Sequence, residues 1–334
     1  RRLVFDDFAG VPRQEVASTV VAVTRFAVGF AHDGTGAAAE QLPAASIQAM
    51  LEQFDDDYPM LIDVFGAPSD GDGDGKIAFL FTPLTDSTGA GGFVNSPSML
   101  PESLGGNGNL TDLIYMGLGE HVGAGDAVPR FRPILAHELQ HLISFHQHVL
   151  VRQGQGEVSW LNEGLSHVAE DLVDGFFDGG NDNRAKLYLA DPAAVGLVGD
   201  AAWDNAKRGV SYLFVRSLVD RFGVGLLGRL VKTGLAERDN LETATGEPFE
   251  ELLANFAAQL YLSGSPEADH PRHNFAFDRL SPAGLRGFGV PASLPYDADG
   301  AAVDGQLRPR GLSYVRVTGS ERRSSSSTPI RGLG

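Results

Sequence analysis

The sequence contains no cysteine among its 334 residues. Disulfide bonds are therefore excluded, and any zinc ligand must be a histidine or a carboxylate. No run of about 18 apolar residues occurs either, so we expect no membrane-spanning helix. Basic residues are scarce, because 26 Lys and Arg stand against 43 Asp and Glu, and the net charge is −17. Such a chain lacks the basic patches that nucleic-acid binding needs.

Apolar periodicity divides the chain into three predicted parts. Residues 1–128 mix strand-like and helical stretches, which indicates an N-terminal α/β part. Residues 129–265 are mainly helical. Residues 266–334 are β-rich or irregular, and we expect their serine-rich end to be disordered. The predicted fold class is therefore α+β.

One stretch of the helical part carries the pattern His-Glu-x-x-His. It reads Pro-Ile-Leu-Ala-His-Glu-Leu-Gln-His-Leu-Ile-Ser-Phe over residues 133–145, and we predict a helix from Pro133, in its first turn, to about His148. His137 and His141 then project from one helix face and can hold one Zn²⁺. Glu138 lies beside the first of them, where a carboxylate can accept a proton from water.

A second stretch, Ser-Trp-Leu-Asn-Glu-Gly-Leu-Ser-His-Val-Ala-Glu-Asp over residues 159–171, supplies a third ligand. Catalytic zinc takes three protein ligands and keeps a position open, and two histidines with one glutamate are a known set. Glu163, on a following helix, is the natural third member. Ligand histidines usually donate their second ring N–H to a carboxylate, and we expect Glu170 and Asp171 to provide it.

The two stretches together resemble the hyicolysin-type neutral metallopeptidases of the gluzincin clan. This resemblance implies a zincin-like fold, zinc held by His137, His141 and Glu163, and Glu138 as the base in peptide hydrolysis. It also implies a secreted bacterial enzyme that acts on proteins or peptides, although Arg1–Asp7 is not a signal peptide. We expect a monomer.

Two further features follow from the resemblance. Zincin-like enzymes pair the substrate with a strand edge near the zinc helix, and either Phe93-Val94 or Ile114-Tyr115-Met116 can supply it, although both stretches are more often simply part of a sheet core. The stabiliser of the developing oxyanion is a Tyr or His in gluzincins. Arg208 stands where a Tyr is expected, so the candidates are Arg208, Tyr212 one turn later, and His167.

A calcium site is a separate hypothesis. Asp70, Asp72 and Asp74, followed by Gly75, match the first half of a calcium-binding loop. The glutamate expected at the twelfth position is replaced by Phe81. Alternating Asp and Gly are also typical of a tight turn before a strand, here predicted over residues 77–81.

Two other functions remain open at this stage. The first is an aminopeptidase, but the Gly-x-Met-Glu-Asn motif of the related aminopeptidases is absent, which favours an endopeptidase. The second is a catalytically silent adhesion or interaction module that binds zinc or calcium. The departure from the family pattern at Arg208 keeps this alternative open.

Overall fold

Six strands form one sheet in the computed structural model, which describes residues 1–34, 42–119, 126–199, 204–264, 274–275, 293–297 and 311–318. The strands are β1 (Arg2–Phe5), β2 (Gln14–Val23), β3 (Ala27–His32), β4 (Ile77–Phe81), β5 (Gly92–Val94) and β6 (Leu113–Met116). Their spatial order is β1-β2-β3-β4-β6-β5, with β3, β4 and β6 parallel and the other pairs antiparallel. β4 and β6 are buried throughout, as their uninterrupted apolar sequences require.

The strand order decides which predicted substrate strand has a free edge. β6 contains Ile114-Tyr115-Met116 and pairs with β4 on one side and β5 on the other, so the prediction that it offers an edge is wrong. Phe93-Val94 lies in β5, the last strand of the sheet. The reason is topological, because the chain reaches β5 before β6 and then inserts β6 between β4 and β5.

Helices make up most of the remaining described chain. They are α1 (Ala44–Phe65), α2 (Pro83–Asp86), α3 (Ala127–Phe145), α4 (Ser159–Asp178), α5 (Asn181–Ala190), α6 (Asn205–Phe222), α7 (Gly225–Val231), α8 (Glu237–Thr245) and α9 (Phe249–Leu262). Short 3₁₀ turns cover Ser96–Met99 and Glu102–Leu104, and α4 has a break at Gly175, where φ is 78°. Among the described helices none is both long enough and apolar enough to cross a membrane.

The helix that carries the two histidines starts earlier than predicted. Asp126 caps it by accepting a hydrogen bond from the N–H of Val128 (3.2 Å), so Pro133 lies inside α3 and not in its first turn. The helix ends at Phe145 and continues into a π-helical turn, His146–Val151. The first residue of the helix is determined by its polar capping residue, Asp126. Apolar periodicity cannot locate such a residue, because it lies outside the apolar pattern.

The largest hydrophobic core joins the sheet to the helices. It contains Phe79 of β4, Leu139 of α3, Leu165 of α4 and Phe214 of α6, so it crosses the predicted boundary at residues 128/129. α3 packs against both α1 and α4, and α4 packs in turn against α6. This arrangement holds the two motif-bearing helices in direct contact.

The C-terminal part is described only in short pieces. β7 (Ser293–Asp297) and β8 (Tyr314–Thr318) form a parallel pair. Tyr314 donates a hydrogen bond to the carbonyl of Ala257 (2.8 Å) and stacks on Tyr261 of α9. The tail predicted to be disordered lies outside the described residues. The α+β class is confirmed by the sheet and helices above.

We expect the Gly209→Ala variant to be less stable than the wild type, because α5 and α6 cross at this glycine. A Cβ on Gly209 would lie 2.1 Å from the carbonyl oxygen of Arg184. Alanine normally stabilises a helix interior relative to glycine, yet here we expect a loss of about 1–3 kcal/mol from overpacking. Urea unfolding of both proteins measures this difference in the free energy of unfolding. Gly225→Ala, at an exposed helical glycine without a close neighbour, is the control, and equal stability of the two variants would contradict the prediction.

Candidate metal centre

α3 places the first two predicted ligands side by side. His137 and His141 lie one helical turn apart, with their Nε2 atoms 3.1 Å from each other. Their rings meet edge to face at a centroid distance of 4.8 Å. Two imidazole nitrogens this close point at a common centre, as the helical spacing predicted.

Glu163 approaches the same centre from α4. Its Oε2 lies 3.6 Å from His137 Nε2, and its Oε1 lies 3.6 Å from His141 Nε2. The next residue, Gly164, lets α4 pack closely on α6, because a Cβ there would lie 2.6 Å from the carbonyl oxygen of Ser211 in α6. The structure thus brings the three predicted ligands together.

The distances fit a zinc ion. With bonds of about 2.0–2.1 Å, the ligand atoms of a tetrahedral zinc stand about 3.3 Å apart. The observed separations of 3.1, 3.6 and 3.6 Å lie on both sides of that value. Burial alone would raise the pKa of Glu163, but hydrogen bonds with His137 and His141 hold it well below the ordinary value, so the carboxylate is ionised as a ligand must be.

Glu138 lies next to the centre and faces the edge strand. Its carboxyl group is buried, and burial raises its pKa above the ordinary glutamate value, with Glu163 adding to the shift and His137 opposing it. A Cβ on Gly92 of β5 would lie 3.3 Å from Glu138 Cγ, so the missing side chain at Gly92 leaves room for this carboxylate. A buried carboxylate of raised pKa suits proton transfer near neutral pH.

Glu170 contacts His137, the first of the predicted ligands, in the way that the sequence analysis expects. Its Oε1 accepts hydrogen bonds from Nδ1 of His137 (2.7 Å) and of His167 (2.9 Å), and its Oε2 accepts one from Arg184 (2.8 Å). Asp171 does not take this role, because its Oδ2 pairs with Arg216 at 2.5 Å. Neighbouring residues of a helix face different directions, so only one of the two carboxylates can reach the histidines.

Three supporting residues were not predicted. The Ser166 hydroxyl lies 3.1 Å from His141 Nδ1 and donates to Gln140 Oε1, which gives the second histidine a polar support. Arg184 pairs with Glu170 from α5. Ser166 could have been found, because it follows Glu163 by three residues and so shares its helix face. No sequence signal indicated Arg184, which comes from a different helix.

The three oxyanion candidates lie in different surroundings. Arg208 lines the cleft, and its Nη1 is 2.5 Å from Glu163 Oε2. Tyr212 is fully buried one turn further along α6, stacked with Phe176, and burial raises the pKa of its hydroxyl well above the ordinary value. It does not line the cleft, because one turn of α6 leads from the open cleft into the core.

His167 lies beside His137, but its proton is on the wrong nitrogen for an oxyanion donor. Nδ1 donates to Glu170, and burial lowers the pKa of the ring to about 3, so Nε2 carries no proton. A bare nitrogen accepts hydrogen bonds or binds a cation and cannot donate to an oxyanion. In this tautomer His167 does not suit the oxyanion role for which the sequence made it a candidate.

A cavity of about 810 Å³ opens onto these residues. Its lining includes residues 89–92, which lead into β5, and Arg208 of α6. His137 and Glu138 also line it. The cavity is large enough for several residues of an extended peptide.

The three aspartates of the calcium hypothesis also come together. Carboxylate oxygens of Asp70, Asp72 and Asp74 lie within 4.8 Å of one another on exposed side chains. Asp70 accepts a hydrogen bond from the N–H of Gly75 (3.0 Å), as in a tight turn. Phe81 is buried in β4, so the loop ends without a twelfth ligand. Calcium binding stays a prediction.

Comparison with known proteins leaves the family open. No protein-family model matches the chain, and no curated protein is significantly similar to it. The likeness to hyicolysin-type peptidases therefore rests on the two motifs alone.

We expect zinc affinity to rise with pH. Burial lowers the pKa of His137, but hydrogen bonds that the ring donates to the carboxylates of Glu163 and Glu170 outweigh it and raise the pKa to about 9 in the metal-free protein. Below pH 9 the metal must displace a proton from this ring, so the apparent affinity should increase about tenfold from pH 7 to pH 8 and level off above pH 9. Competition with a chromophoric chelator at fixed ionic strength measures this slope. A flat profile between pH 7 and pH 8 would contradict the prediction.

Proposed function

We propose that this chain is a zinc-dependent endopeptidase that hydrolyses internal peptide bonds. The observation that carries the proposal is the meeting of His137, His141 and Glu163 beside a buried glutamate in an open cleft. Two histidines and one carboxylate form a known catalytic zinc set, and the glutamate next to the first histidine is the expected base. The zincin-like fold is part of the same proposal.

In this mechanism Glu138 transfers the proton from the water to the leaving group. A zinc ion bound here would polarise the scissile carbonyl and make water a better nucleophile at neutral pH. Glu138 accepts a proton from the attacking water on its carboxylate and passes it to the leaving amine nitrogen as the carbon–nitrogen bond breaks. Its raised pKa suits both steps, because a group that titrates nearer neutrality can accept a proton and release it again.

The β5 edge supports a peptide substrate. Gly91 accepts a hydrogen bond from the N–H of Gly117 after β6, so its carbonyl points into the sheet. Successive carbonyls of a strand point to opposite sides, and Gly92 therefore turns its backbone groups outward beside Glu138. An extended peptide that pairs with this edge would pass directly over the proposed catalytic groups.

Arg208 is the best-placed stabiliser of the oxyanion. Its guanidinium lies at the cleft surface next to Glu163, and an arginine keeps its charge at every relevant pH. A fixed positive charge beside the reacting carbonyl stabilises the negative oxygen that develops there. Arg208 would thus replace the tyrosine that the resemblance implies at this position.

The remaining features of the proposal come from sequence patterns. Secretion by a bacterium and action on protein or peptide substrates are carried by the resemblance, and a monomer that binds no nucleic acid is our expectation. A structural calcium ion at Asp70, Asp72 and Asp74 is an additional proposal. The alternatives are a gluzincin aminopeptidase and a silent zinc- or calcium-binding adhesion module.

The Glu138→Gln variant tests the proposed base. It should bind about one zinc per chain like the wild type but cleave an end-blocked, internally quenched peptide about 10²–10⁴-fold more slowly. Glu251→Gln makes the same change on an exposed glutamate of α9 and is the matched control. Wild-type protein that binds zinc but cleaves no peptide would favour the silent module. Cleavage of unblocked peptides alone would favour the aminopeptidase.

The Arg208→Met variant tests the oxyanion role. It keeps much of the side-chain length but loses the charge, so kcat should fall about 10²-fold or more while KM changes little. Metal content, measured on the same samples, should remain at the wild-type level. If kcat is unchanged, Arg208 serves only as the ion-pair partner of Glu163.

A further inference from the structure

The ring of Phe8 stacks on β5, the last strand of the sheet. Its centroid lies 4.1 Å from that of Phe93, and the two rings are nearly parallel, with 9° between their planes. Tyr115 of β6 stacks on Phe93 in the same way, at 4.6 Å and 9°. Phe8 and Tyr115 must lie on opposite faces of Phe93, because two rings so close to it on one face would overlap each other. The three rings therefore form one continuous stack.

This stack runs across the strands and continues past the edge of the sheet. Phe93 and Tyr115 are directly opposite each other in the β5–β6 pair. Side chains that are directly opposite on neighbouring strands contact each other, so their row lies at right angles to the strands. Phe8 therefore lies where a strand added beside β5 would place the side chain opposite Phe93.

Phe8 reaches this place from a tight turn and not as part of a strand. Its N–H donates to the carbonyl of Val11 (3.1 Å), and its carbonyl accepts a hydrogen bond from the N–H of Val11 (2.9 Å). Ala9 and Gly10 between them both have positive φ, 49° and 85°, as in the turns that join antiparallel strands. Since Val11 uses both backbone groups of Phe8, the ring lies beside β5 without using the backbone edge of that strand.

The Phe8 ring and the candidate metal centre lie on opposite faces of the sheet. Gly92 faces α3, since a Cβ there would lie 3.3 Å from Glu138 Cγ. Successive residues of a strand face opposite sides, so Phe93 points away from α3 and packs against Phe5. A peptide added to β5 alternates in the same way. Its side chain opposite Gly92 would point towards Glu138, and the neighbouring side chain would point at the ring of Phe8.

We propose that Phe8 is a specificity-determining residue, which restricts the substrate side chain opposite Phe93 to a small one such as that of glycine, alanine or serine. This inference rests on the endopeptidase activity of the proposed function and adds a selectivity to it. A larger side chain would have to take the place of the Phe8 ring. Its displacement would end the stacking contact and expose a face of the buried Phe93 ring to water, so larger side chains are selected against.

The test compares end-blocked, internally quenched peptides that carry alanine or leucine at each position in turn on both sides of the cleaved bond. At the position opposite Phe93 we expect wild-type kcat/KM to favour alanine over leucine by about tenfold or more. In Phe8→Ala this ratio should fall to near one, because the place of the ring is then open. The ratios at the other positions should keep their wild-type values.

A second variant and a control accompany this measurement. Phe8→Val lacks the ring but suits the extended backbone of the Phe8–Val11 pair, and it should lower the same ratio. Leu235→Ala shortens an apolar side chain of similar exposure between α7 and α8, 40% against 36% for Phe8, and should keep the wild-type ratio. Urea unfolding establishes which variants are folded.

Each outcome bears on the proposal. A lower ratio in the folded Phe8 variants, with the wild-type ratio in Leu235→Ala, supports the restriction. The wild-type ratio in every folded Phe8 variant overturns it, as does a wild type that never favours alanine over leucine, and the proposed endopeptidase then stands. If the wild type binds zinc but cleaves no peptide, the proposed function itself fails together with this inference.

Discussion

The buried carboxylate of Glu170 is the interaction on which the candidate centre depends. It joins three helices, because it accepts hydrogen bonds from His137 on α3, His167 on its own helix α4, and Arg184 on α5. Burial alone would raise its pKa, but His167, Arg184 and the hydrogen bond from His137 together hold it well below the ordinary value. The charge is thus kept in the interior by its partners, and removal of a partner from such a buried pair typically costs about 3–5 kcal/mol.

This electrostatic arrangement requires helices that pack unusually closely. Gly164 lets α4 approach the backbone of α6, and Gly209 lets α6 approach the backbone of α5 at Arg184. Glu163 and Arg208 are the direct neighbours of these two glycines. The positions that allow the helices to touch are therefore also those that bring the third ligand and the cleft arginine to within 2.5 Å of each other. The close packing of these helices and the positions of Glu163 and Arg208 therefore depend on each other.

The sequence was a good guide to which side chains share one face of a helix. The spacing of His137 and His141 predicts a shared face, and the two nitrogens are found 3.1 Å apart. Glu170 follows Glu163 at near-helical spacing, and it accepts the expected hydrogen bond from His137. The pattern of apolar residues was a poor guide to helix ends and strand edges. The start of α3 depends on the hydrogen bond of the Asp126 cap, and the buried position of β6 depends on the strand order of the sheet.

The sequence by itself therefore determined the α+β class, the absence of disulfides and the candidate metal group of His137, His141 and Glu163, because composition and helical periodicity are local properties. Only the tertiary structure decided that Tyr212 is a core residue, that Asp171 pairs with Arg216, and that the bare nitrogen of His167 faces Glu163. It also brought Arg184 to the centre. These outcomes depend on which helices cross and at what distance, and no local pattern encodes the contacts between separate helices.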